Sequence, residues 1–85
     1  MKCNLRSESE YDVLELNGEI DLHHSPELRE QILESLKDGK PLLIDMQNVS
    51  YIDSSGIASL VEGFQAAKSA DLAYGLLSIS SPARR

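Results

Sequence analysis

At 85 residues the chain has room for one small domain, 1–85, with a modest core and no second domain. Its apolar fraction of 41% and charged fraction of 26% are those of a soluble globular protein. No run approaches the roughly 20 apolar residues that span a bilayer, so membrane insertion is not expected. The 14 acidic side chains outnumber the 8 Lys and Arg, and the resulting charge of −6 argues against direct contact with nucleic acid, whose phosphates are bound by clustered Lys and Arg. Met1–Arg6 lacks the apolar run of a secretory signal, and the lone Cys3 permits neither an internal disulfide nor a cysteine-based zinc site. A free thiol in a cytoplasmic protein is the expectation.

In chain order, Lys2–Arg6 reads as a short edge strand. Tyr11, Val13, Leu14 and Leu16 fall on both parities of a run that ends at Gly18, as in a strand covered on both faces. Ser25-Pro26-Glu27 reads as a helix start, with Ser25 as N-cap, Pro26 first in the helix, and Glu27 and Glu30 near the positive end of the dipole. Leu28, Ile32 and Leu36, helped by Leu33, form the inward stripe, and Gly39 marks a stop. Leu42-Leu43-Ile44 suits a central strand buried on both faces, joined to the preceding strand by a parallel crossover. After Gly56, the spacing of Ile57, Leu60, Val61, Phe64 and Ala67 predicts a helix with those residues facing the core. Leu72–Ile79 follows as a strand, and Ser80 or Ser81 with Pro82 opens a helix that the chain does not complete.

The segment Ile52-Asp53-Ser54-Ser55-Gly56-Ile57 places a carboxylate and two hydroxyls where a buried strand gives way to a helix. A helix start offers unpaired N–H groups and a positive dipole end, so the same atoms can cap the helix or host a phosphoryl group. Asp53 reads equally as a plain cap and as a residue orienting a neighbouring hydroxyl. Ser55 reads as a cap or packing residue, and Gly56 as a point of close approach by backbone or partner. The residues themselves do not choose between Ser54 and Ser55 as a site of modification. His23 and His24 are adjacent, with no third ligand at a metal spacing, and read as loop residues. With no phosphate-binding glycine loop and no nucleophile, base and oxyanion hole in view, neither an enzyme nor a cofactor is expected.

Three segments carry a family likeness. Asn17-Gly18-Glu19-Ile20-Asp21, Ile52–Leu60 around Asp53-Ser54-Ser55-Gly56, and Ser78-Ile79-Ser80-Ser81-Pro82 with Arg84-Arg85 resemble, in order and spacing, the signatures of STAS domains as found in bacterial anti-sigma factor antagonists. The resemblance implies an α/β fold: a small mixed β-sheet with parallel crossovers, helices packed on one face, and a C-terminal helix that is largely missing here. It implies Ser54 as the phosphorylated residue, with Asp21, Asp53, Ser55 and Gly56 on the partner-binding surface. The implied partners are an anti-sigma factor serine kinase, bound when Ser54 is unphosphorylated, and a serine phosphatase that restores that state. A missing helix would leave an apolar patch, for which self-association or domain swapping is the expectation. A second reading is a cytoplasmic STAS subunit of a membrane lipid ABC transporter.

Overall fold

The computed structural model describes residues 2–77. Strands β1 (Lys2–Ser7), β2 (Asp12–Ile20), β3 (Leu42–Ile52) and β4 (Tyr74–Leu77) form one sheet in the order β1-β2-β3-β4. The β1–β2 pair is antiparallel; β2–β3 and β3–β4 are parallel, bridged by α1 (Ser25–Leu36) and α2 (Ser54–Ser69). Crossovers of one hand that step the same way along a sheet put their helices on one face, and α1 and α2 indeed pack against each other there. Leu14, Leu16 and Ile20 of β2, Leu42 and Ile44 of β3, and Leu28 and Ile32 of α1 have no exposed surface and form the centre of the core.

Beyond the predicted Leu42–Ile44, β3 runs on to Ile52. Its pairing with β2 slips twice, between Glu15 and Asn17 and between Gly18 and Glu19. Each slip adds one residue to β3 and reverses the face its side chains point to. The inward series therefore changes parity from Leu42, Ile44 and Met46 to Val49, and back again at Ile52. Two reversals erase the alternation that announces a strand, so between the apolar run and the strand end before Asp53 the sequence does not show which residues face the core. Nor is the central run covered on both faces: Leu42 and Ile44 are fully buried, whereas Leu43 points away from the helices and is half-buried.

Helix α1 begins one residue earlier than expected. His24 holds the N-cap position, because the backbone N–H groups of His24 and Ser25 both donate to Asp21 O and the Leu28 N–H closes the first helical bond to His24 O. Ser25 is thus inside the helix and buried, and Pro26 sits in the first turn, where its missing N–H costs nothing. Gly39, at φ +73, follows the helix as predicted.

The inward face of α2 differs most from expectation. Leu60 and Ala67 are buried, but Ile57, Val61 and Phe64 are each about half exposed, and the buried face is completed by Gly56, Ser59 and Gly63. Helix–helix proximity explains the rotation. A Cβ on Gly63 would lie 2.6 Å from Ile32 Cγ2, so α2 presents its small residues to α1 and turns its large ones outward. Ile57, Val61, Phe64, Tyr74 and Leu76 then line an open apolar groove of about 460 Å³ between α2 and β4. Tyr74 closes its floor: its hydroxyl donates to Leu60 O at 2.9 Å, its ring meets Phe64 edge-on, and burial pushes its phenol up to about 12. Leu28→Ala should therefore cost ~2–5 kcal/mol, the price of a core cavity. Val61→Ala, despite its place in the apolar stripe, should cost about 1 kcal/mol or less. Urea unfolding of the two variants checks the difference.

Of the predicted last strand, Ser78 and Ile79 lie outside the described residues, as do Ser80, Ser81, Pro82, Arg84 and Arg85.

Candidate functional site

The site lies at the carboxyl ends of β2 and β3, the end of a parallel sheet where connecting segments gather. Strand β3 stops at Ile52, and Asp53 leaves it in extended conformation (φ −100, ψ −175) to become the N-cap of α2. Its Oδ1 accepts from the backbone N–H of Ser55 at 2.9 Å and of Gly56 at 3.1 Å, while its carbonyl takes the N–H of Ile57. This is the capping role of an Asx residue at a helix start. Asp53→Ala orphans two N–H groups and should cost ~1 kcal/mol of stability, measurable by denaturant titration, with the fold retained.

The Asp53 N–H donates to Ile20 O at 3.2 Å, which stitches the start of α2 to the last residue of β2. The next residue is Asp21, so the two acidic positions, 32 residues apart in the chain, flank one backbone hydrogen bond. Asp21 organises the loop that follows. Its Oδ1 accepts from the His23 N–H at 3.0 Å, and His24 Nδ1 lies 2.9 Å away, close but not aligned as a hydrogen bond. Partial burial works to raise the Asp21 carboxyl, but the His23 N–H and the two imidazoles outweigh it and hold the group below the usual carboxylate range.

Ser54 is the first residue of α2 and is exposed; among the described residues its hydroxyl makes no hydrogen bond. Ser55 is half-buried and is not the cap: its own N–H is capped by Asp53, and its carbonyl accepts from Ser59 Oγ at 3.3 Å. Gly56 is buried where a Cβ would stand 2.7 Å from Ile52 Cγ1 and 2.8 Å from Ile20 Cγ2, so the close approach it permits is to the chain's own core. The two serines thus differ in access. Ser54 faces solvent and Ser55 sits at the edge of a shallow groove between the helices.

Sequence reasoning passed over three residues here. Ser59, buried in mid-helix, also donates to Ser25 O at 3.0 Å and so ties α2 to α1; a lone serine in an apolar stripe carries no mark of that bond. Leu22, given no role in the sequence reading, is the most exposed large apolar side chain among the described residues at 68% and borders the inter-helix groove of about 410 Å³ beside Ser55 and the Arg29–Glu62 ion pair. His24, read as loop, carries the N-cap position of α1 and the contact with Asp21.

The STAS domain family model matches residues 4–85. The chain belongs to the STAS domain family. Among curated STAS relatives it is 36% identical over 62 residues to the anti-sigma-B factor antagonist of Bacillus subtilis (strain 168), a match covering 72% of this chain and 57% of that protein. It is 32% identical over 71 residues to the anti-sigma-B factor antagonist of Staphylococcus aureus (strain NCTC 8325 / PS 47), covering 82% of this chain and 65% of that protein. The STAS chain therefore spans roughly six tenths of the length of these relatives. The anti-sigma factor antagonist SpoIIAA in its unphosphorylated form superposes with a TM-score of 0.79 at 23% identity, covering 98% of this chain and 78% of that one. Its phosphorylated form superposes with a TM-score of 0.78. These likenesses show the fold: a STAS-type mixed sheet of four strands with two helices on one face.

Proposed function

We propose that this STAS domain is a phosphorylation-controlled interaction module acting as an anti-sigma factor antagonist. In its unphosphorylated form it binds an anti-sigma factor of the ATP-dependent serine kinase type and frees the sigma factor. The kinase inactivates it by phosphorylating Ser54, and a serine phosphatase restores it. The work takes place in the cytoplasm and lies in binding equilibria, with no chemistry catalysed by this chain. Support comes from relatives named anti-sigma-B factor antagonists and from the occurrence of SpoIIAA in unphosphorylated and phosphorylated forms.

The single observation that carries the reading is the division of labour between Asp53 and Ser54. Asp53 already satisfies the Ser55 and Gly56 N–H groups, so the helix start does not need the Ser54 hydroxyl, which stands free on the surface. A phosphate there adds about −1.5 to −2 charge beside Asp53 without breaking any bond that holds the fold. The domain stays folded while its surface changes sign of preference, from accepting a neutral hydroxyl to repelling whatever docked on it.

The test is reconstitution with the serine-kinase anti-sigma factor of the same genome and ATP, followed by mass mapping. A single phosphate on the peptide carrying Ser54, abolished in Ser54→Ala and kept in Ser55→Ala, is the expected result. Phosphate confined to Ser55, or none, would remove the reading. A membrane permease co-purifying equally with wild type and Ser54→Asp would move the assignment to transport.

A further inference from the structure

Residues 21–24 carry the chain from β2 into α1 through a turn that is held in place by its own hydrogen bonds. The Asp21 carbonyl accepts the N–H groups of His24 at 3.0 Å and Ser25 at 2.9 Å, and its Oδ1 accepts the His23 N–H at 3.0 Å. The Leu22 carbonyl accepts the Ser25 hydroxyl at 3.4 Å. The backbone around Leu22 is thus fixed while its side chain stands 68% exposed. A lone exposed leucine is ordinary on a protein surface. Leu22 is set apart by its position. It borders the inter-helix groove with Pro26, Ala58 and Ser55, and Ser55 follows Ser54 in the chain, so the leucine and the switch position share one surface.

The charges around Leu22 limit what can cover it. Burying Leu22 also takes water from Asp21, the residue before it, whose carboxylate lies 2.9 Å from His24 Nδ1 and has no Lys or Arg partner among the described residues. An ionised carboxylate without a cation is costly to bury, so the covering surface must bring one. A second copy of this chain is a poor source: it carries 14 acidic against 8 basic residues, and Arg29, the cation that lines the groove, is paired with Glu62. Asp53 makes no such demand, because the Ser55 and Gly56 N–H groups and the helix dipole already meet its charge.

Building on the antagonist reading above, we propose that Leu22 is the apolar anchor of the Ser54 surface and inserts into an apolar pocket of the serine-kinase anti-sigma factor, with a Lys or Arg of that protein opposite Asp21. A side chain presented on a fixed turn loses little freedom on binding, so most of the gain from removing it from water goes into affinity. The two ends of the surface then act differently. Opposite Ser54 the kinase presents the phosphates of its nucleotide, which repel a phosphate on Ser54. At Leu22 and Asp21 the contact is apolar and ion-paired, and it holds the complex together.

The experiment measures association and dissociation rates of the full chain and its Leu22→Ala and Leu22→Met variants against the serine-kinase anti-sigma factor of the same genome, with ADP in place of ATP so that no phosphate is transferred. Leu22→Ala should bind roughly tenfold to a hundredfold more weakly, through faster dissociation, with the association rate and its dependence on salt unchanged. Leu22→Met, close in apolar volume, should keep most of the affinity. Both variants should unfold at the wild-type urea midpoint, since Leu22 is exposed. Wild-type affinity in Leu22→Ala would overturn the anchor and leave the antagonist reading standing. Failure of the wild-type chain itself to bind would remove both. A loss confined to self-association of the free chain, followed by sedimentation of the same variants, would make the occupant a second copy and overturn the assignment as well.

Discussion

Ser54→Asp is expected to lower affinity for the serine-kinase anti-sigma factor by roughly a hundredfold, corresponding to about 3 kcal/mol at the interface. Stability should move little, and in the other direction. Ser54 makes no hydrogen bond among the described residues that the substitution would break. An acidic side chain in the first turn of a helix is favourable by ~0.3–1 kcal/mol, which the neighbouring Asp53 carboxylate partly offsets. The lost affinity thus cannot be put down to unfolding. Calorimetric titration against the partner, run beside thermal unfolding of the free domain, separates the two effects. Ser54→Ala should bind as wild type does and escape control by the kinase. If Ser54→Asp binds with undiminished affinity, charge at this position is not the switch.

The second large effect is expected at Gly56. Valine there puts a branched side chain where the first carbon alone would already stand 2.7 Å from Ile52 Cγ1 and 2.8 Å from Ile20 Cγ2. Ile20 is fully buried at the end of β2 and cannot swing away, so the start of α2 must lift off the sheet. Overpacking of this kind costs ~1–3 kcal/mol and sometimes more. A domain of this size has roughly 4–13 kcal/mol to lose. The consequence reaches beyond stability. A displaced helix start breaks the Asp53 N–H bond to Ile20 O and moves Asp53 and Ser54 away from Asp21, so Gly56→Val should lose partner binding even where it remains folded. Urea unfolding together with binding under native conditions checks both parts. A variant of wild-type stability would mean that α2 is not held as closely as these distances imply.

The order of strands and helices and the parallel crossovers were legible in the sequence because each element carries a local mark. Leu28, Ile32 and Leu36 repeat at helical spacing, Gly39 marks the end of α1, and Leu42–Ile44 is bounded by Pro41. The position of Asp53 between strand and helix was legible in the same way, since an Asx residue before a run of helical periodicity is a cap by its own chemistry. The register of the second half of β3 was not, because two bulges reverse its parity and Gln47, Asn48 and Ser50 interrupt the apolar pattern.

The outward turn of α2 shows the same limit at the level of packing. Periodicity established that Ile57, Leu60, Val61, Phe64 and Ala67 share one side of a helix, but a helix with an apolar side and a seam of small residues can bury either. Here Gly56, Ser59 and Gly63 admit α1 and the sheet at close range, and the aromatic and branched residues border the open groove. What the sequence determined by itself was the local chemistry: where helices start, which residues are apolar, and that a carboxylate and two hydroxyls stand together at one helix start. Only the tertiary structure decided which apolar residues are buried, that the Asp53 N–H bonds Ile20 O next to Asp21 at the strand ends, and that Asp12 is buried beside Ser7 and Lys40. Those are contacts between residues far apart in the chain, set by how closely backbones can approach, and no local pattern encodes that distance.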